Sequence, residues 1–219
     1  MKKILLISFL ALIFPKILIA GDPVKIGSLE LKRWTTSQGM QVLFAQSHEL
    51  PMVDLRLVFD AGGARDNKLP GIAKLTNGLI YEGVKGLSGQ QIAETFEGMG
   101  VQYGNGSYRD MAVLYFRSLS DQKIMSKALD TINLILAEPL FEQKTMDREL
   151  NTMRVALKLS QESPSSRASL AFFKTLYSDD KYKHPYASPT GGTKESLDKM
   201  TRNDLINYYN KYYVASNTI

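Results

Sequence analysis

Between Met52 and Asp60 apolar and polar residues alternate: Val53, Leu55, Leu57 and Phe59 stand against Asp54, Arg56 and Asp60. A period of two turns one set toward a core and predicts a half-buried strand, which Ala61-Gly62-Gly63 ends. Upstream, Leu29 to Trp34 and Met40 to Ala45 flank a Ser37-Gln38-Gly39 turn and predict a hairpin. After Pro70-Gly71 the period lengthens. Ile72, Leu75 and Leu79 recur at helical spacing and form a core face, leaving Lys74, Asn77 and Gly78 together on another. Ser88 with Gln91 three residues on is a capping-box signature. It opens a helix with Ile92, Phe96 and Met99 on one stripe, stopped by Gly100. Val101 to Tyr103 and Met111 to Arg117 predict paired strands around Gly104-Asn105-Gly106-Ser107, since Asn-Gly favours a tight turn.

The remainder is mostly helical. Helices are expected over Asp121 to Ala137, over Phe141 to Gln161 with Met146, Leu150, Met153 and Leu157 on one stripe, and after Ser163-Pro164. A last one starts at Thr201 with Asp204 as its capping partner and carries Leu205, Tyr208, Tyr209 and Tyr212. A Pro- and Gly-rich loop, His184 to Gly192, precedes it. Strands that come first and helices that follow predict an α+β fold, a largely antiparallel sheet packed against helices.

The first 20 residues change the reading of charge. A basic start, an apolar run from Ile4 to Phe14, Pro15 and a short apolar stretch ending at Ala20 follow the order of a secretory signal peptide. The run is shorter than the roughly 20 residues a membrane-crossing helix needs. The expectation is a signal over 1–20, a mature domain over 21–219 and no stable membrane span after cleavage; an uncleaved amino-terminal anchor is the alternative. The protein is then exported, and periplasmic if the source is Gram-negative. Without Lys2, Lys3 and Lys16 the formal charge of +5 falls to 24 basic against 22 acidic residues, which removes the bulk-charge argument for nucleic acid.

The chain has no cysteine, so thiolate zinc sites, iron–sulfur clusters and cysteine nucleophiles are excluded. Its two histidines, His48 and His184, are far apart and each reads as a turn residue. Gly98-Met99-Gly100 follows a helix instead of opening one after a strand, so it is not a phosphate cradle. The tyrosines from 207 to 213 have helical spacing and read as packing residues.

Five stretches in order resemble the amino-terminal domain of the M16 zinc metallopeptidases. They are Phe59-Asp60-Ala61-Gly62-Gly63-Ala64-Arg65, Leu69-Pro70-Gly71-Ile72-Ala73, Met99-Gly100-Val101, His184-Pro185-Tyr186 with Gly191-Gly192-Thr193, and Tyr212-Tyr213-Val214 with Asn217. The resemblance implies a LuxS/MPP-like metallohydrolase half. In that family the helix after L-P-G-I-A carries H-x-x-E-H, two zinc ligands and a water-activating Glu. The matching positions here hold Lys74, Asn77 and Gly78. The family's third ligand, a Glu seven residues after an Arg-Glu pair matched by Arg148-Glu149, falls at Ala156, flanked by Val155 and Leu157. The resemblance thus implies no catalytic residue, no metal ligand and no bound zinc, with Glu149 left as a residue that would only support such a site. Lys74 is expected to reach solvent.

Active relatives pair substrate, as an added strand, with the edge strand that matches Val101 to Gly106, so Tyr103, Gly104 and Asn105 are the peptide-binding candidates. Family members often work as unlike halves or subunits of which one holds zinc. The expected partner is an active M16-type subunit or a second M16-like domain, with peptide as ligand and no nucleic acid. Two alternatives stay open: a stand-alone peptide-binding or assembly module, and a metalloendopeptidase or other hydrolase using unrecognised residues. In the family Tyr212 to Asn217 lead into a further sheet strand, so the domain is expected to be incomplete at its carboxyl end.

Overall fold

The structure, a computed structural model, describes residues 24–26, 29–179 and 181–219; the expected signal segment lies outside them. Strands β1 (Val24–Ile26), β2 (Leu29–Thr35) and β3 (Gln41–Ala45) form one antiparallel sheet in that order. The predicted hairpin is β2–β3, with Trp34 opposite Val42 and Gly39 in the left-handed conformation at the turn. β4 (Met52–Phe59) belongs to a second antiparallel sheet, ordered β4-β8-β7, with β7 at Gln102–Ser107 and β8 at Ala112–Leu119.

Alternation in β8 explains the layering. Ala112, Leu114, Phe116 and Ser118 are buried against the helices, while Tyr115, Arg117 and Leu119 face outward. Opposite them on the outer face, Asp54 of β4 pairs with Arg117 and Arg56. The core is built by helix α1 (Ile72–Gly78), α2 (Gly89–Glu97), α3 (Gln122–Ala137), α4 (Gln143–Glu162) and α7 (Arg202–Tyr212), with Leu75, Ile92, Phe96, Ile135, Met146 and Leu205 fully buried. Capping boxes at Ser88–Gln91 and Thr201–Asp204 start α2 and α7 as the sequence predicts. A two-residue ladder, β5 (Gly83–Val84) with β6 (Leu87–Ser88), turns the chain between α1 and α2. Helix α5 (Pro164–Tyr177) opens at the Ser163 cap.

Three expectations change. Gly104 to Ser107 is strand, not turn: Asn105 pairs with Leu114 and Gly106 with Val113, and the reversal falls at Tyr108–Met111. The glycines serve close approach instead. A Cβ on Gly104 would overlap the Tyr115 ring, and one on Gly106 would stand 2.9 Å from Tyr108. A short helix, α6 (Lys194–Lys199), occupies a stretch the periodicity left blank; Thr193 and Ser196 cap it. Met99 falls in the turn after α2.

At the carboxyl end Thr218 bridges Phe59 in antiparallel sense, and Val58 and Ile219 exchange hydrogen bonds of 2.7 and 2.9 Å. On its other side Thr218 O accepts from Gln41 N–H at 3.1 Å. These two residues therefore join the β3 edge to the β4 edge.

Candidate functional site

Asp66 sets the start of α1. Its two carboxylate oxygens accept from the backbone N–H groups of Gly71 (2.7 Å) and Ala73 (2.9 Å), in the first turn where helical partners are lacking. Burial pushes its carboxyl up to about 7, against the pull of those two N–H groups. Gly71 has φ +95 and lies against the Gly191–Gly192 backbone, a position that tolerates no side chain.

Of the three motif positions, Lys74 and Gly78 are exposed one turn apart, but Asn77 is 2% exposed and faces inward. This corrects the single shared face expected from spacing. α7 and β7 close over Asn77: its side-chain amide donates to the Tyr213 hydroxyl at 3.3 Å, and its backbone carbonyl accepts from the Asn105 side chain. Burial pushes the Tyr213 phenol up, so it stays protonated. From α4, Glu149 approaches Gly78, with Oε1 3.9 Å from where a Cβ would stand. Ala156 and Val155 lie two turns further along α4, exposed. Arg148, the neighbour of Glu149 on α4, pairs with Glu82.

β7 forms the edge of its sheet among the described strands and runs alongside α1. Tyr103 packs its ring on Tyr81 and Phe96, with centroids at 5.2 and 4.5 Å. The Gly104 carbonyl accepts from the Tyr81 hydroxyl at 3.3 Å, and the Asn105 side chain is spent on Asn77. The three candidates thus come together with the motif helix. Tyr81 and Asp66 escaped the sequence reading, and Tyr213 was read only as a packing residue and as part of the resemblance; an acid five residues before Gly71 was the available signal for Asp66.

The two histidines stand apart from this site. His184 Nδ1 accepts from Tyr186 N–H at 3.2 Å inside an aromatic group with Tyr177 and Tyr186, and His48 lies exposed before β4. Arg109, in the β7–β8 turn, donates to Tyr186 O at 2.8 Å and stacks 4.3 Å over Phe173, which ties that turn to α5.

A sequence profile of Insulinase (Peptidase family M16) matches residues 41–194. The chain belongs to the M16 peptidase family. It is 23% identical over 180 residues to an uncharacterized zinc protease of Rickettsia bellii (strain RML369-C), covering 82% of this chain and 42% of that protein. It is 25% identical over 173 residues to the non-peptidase homolog YmxG of Helicobacter pylori (strain ATCC 700392 / 26695), covering 78% and 39%. Among solved structures, a peptidase M16 inactive domain from Pseudomonas fluorescens matches with a TM-score of 0.82 and 38% identity, over 86% of this chain and 45% of that one. The chain spans less than half the length of these M16 relatives.

Zinc, the metal of the active M16 enzymes, does not fit the residues present. A catalytic zinc site takes three protein donors and a water. Lys74 presents a cation, Gly78 and Ala156 present no donor, and Asn77 is committed to Tyr213. Among the described residues no group of three or more His, Cys, Asp or Glu is placed to hold a metal ion. The arrangement fits a degenerate M16 protein, as the inactive and non-peptidase relatives do.

Proposed function

We propose that this protein is an exported, catalytically degenerate M16 subunit that pairs with an active zinc peptidase and helps it hold peptide. The observation that carries the reading is a divergence at one place. The M16-like stretch Leu69–Ala73 runs into an ordered α1, capped by Asp66 and packed at Gly71, while the positions that the resemblance matches to zinc donors hold Lys74, Gly78 and Ala156. Beside that helix β7 offers a backbone edge, and strand addition needs backbone groups more than particular side chains. Relatives more than twice as long as the matched region support a second M16-like half or subunit as the partner.

Co-expression with an H-x-x-E-H-bearing M16 peptidase from the same source tests pairing: the two should co-purify, and the complex should cleave unstructured peptide. The purified chain alone should do neither zinc binding nor cleavage. Tight stoichiometric zinc with chelator-sensitive cleavage by this chain would overturn the reading.

A further inference from the structure

The stripe without zinc donors still carries charge. Lys74 is exposed on α1, and Glu149 is half-buried beside Gly78. The ion pairs among the described residues include neither of them, and neither side chain makes a hydrogen bond there. Among the described residues a cation and a carboxylate without ion-pair partners thus flank α1, the helix that runs alongside the β7 edge.

Their order along that edge follows from two contacts. Tyr81, beyond the end of α1, reaches Gly104, and Asn77 reaches Asn105. Going back along α1 therefore means going forward along β7. Glu149, next to Gly78, lies toward Gly104–Asn105, and Lys74 lies one helical turn on, toward Ser107. A turn is about 5.4 Å, close to the roughly 6.6 Å between same-side residues two apart in a strand.

We propose that this edge reads charge on an extended peptide, taking a carboxylate side chain at Lys74 and a basic side chain two residues away at Glu149. The proposal rests on the peptide reading of β7 given above and adds a substrate class to it. A lysine in the place of a metal ligand supplies a positive pole that attracts a carboxylate.

Two fluorescein-labelled ten-residue peptides of alternating Thr and Val test it, one with a central Glu-Val-Lys and one with Lys-Val-Glu. They share composition and net charge, so only order differs. By fluorescence anisotropy at low salt, one order should bind about fivefold more tightly, the scale of one or two exposed ion pairs. Lys74→Met and Glu149→Gln should each abolish the preference, and the double variant Lys74→Glu/Glu149→Lys should reverse it. Equal binding of both orders to the unaltered protein overturns the charge reading and leaves peptide binding standing. Binding of neither peptide overturns both.

Discussion

Gly78 ends α1 with Glu149 Oε1 as its nearest neighbour, 3.9 Å from a would-be Cβ, and its φ lies outside the left-handed region. Alanine fits there and lowers the entropy of the unfolded chain, so Gly78→Ala should stabilise by about 0.5–1 kcal/mol in urea denaturation. Destabilisation would mean that the glycine serves backbone approach after all. Asp66 gives a pH prediction. Its carboxyl is held near 7 in the folded protein against an ordinary value near 3.8, so the folded state binds the proton more tightly. Its contribution to stability is fully present below the unfolded value and is lost as pH rises toward and through 7. The protein should therefore be more stable at pH 5 than at pH 8 by about 1–3 kcal/mol from this group. Asp66→Asn should flatten that difference in paired urea titrations; an unchanged slope would assign it to other groups. At this scale the residue types at the motif positions were legible, because donor chemistry is fixed by residue identity. The inward turn of Asn77 was not, because it depends on Tyr213, 136 positions away in the chain.

Among the elements, the helices were most legible where a cap and an apolar stripe agree. Ser88 accepts from Gln91 N–H at 3.3 Å, and the Gln91 side chain accepts in return from Ser88 N–H at 2.9 Å. Ser88→Ala should cost about 1 kcal/mol, read as a lower thermal midpoint, with Ser88→Thr recovering most of it. No loss would show that α2 is held by Ile92 and Phe96 packing alone. Where sequence reading failed, local signal and tertiary demand pointed in different directions. Asn105-Gly106 has the chemistry of a turn, yet Tyr108 and Tyr115 lie over β7 and need glycines beneath them. α6 was missed because its six residues are too few to show a helical period, although Thr193 and Ser196 carried a cap.

For the whole molecule, burial is unevenly shared between the two three-stranded sheets. From residue 30 to residue 45, across β2 and β3, no side chain is buried, whereas β8 and helices α1, α2, α3, α4 and α7 supply most of the core. The β1–β3 sheet is fastened chiefly at its hairpin end, where Gly39 meets Ser216 and Gln41 donates to Thr218 O. Few buried apolar contacts and exposed backbone bonds define a unit that opens at low free energy. Amides of β2 and β3 should therefore exchange through a sub-global opening while those of β8 and α7 wait for global unfolding. In native-state hydrogen exchange with rising urea, the first set should merge with the global isotherm only near the midpoint. Identical opening free energies for Leu43 and Leu114 would mean that Thr218–Ile219 couples the sheets into one cooperative body. Weakening that junction separates the cases. Gln41→Pro removes the N–H that reaches Thr218, so it should speed exchange in β2 and β3 while leaving β8 unchanged. A matching loss of protection in β8 would place the junction within the global folding unit.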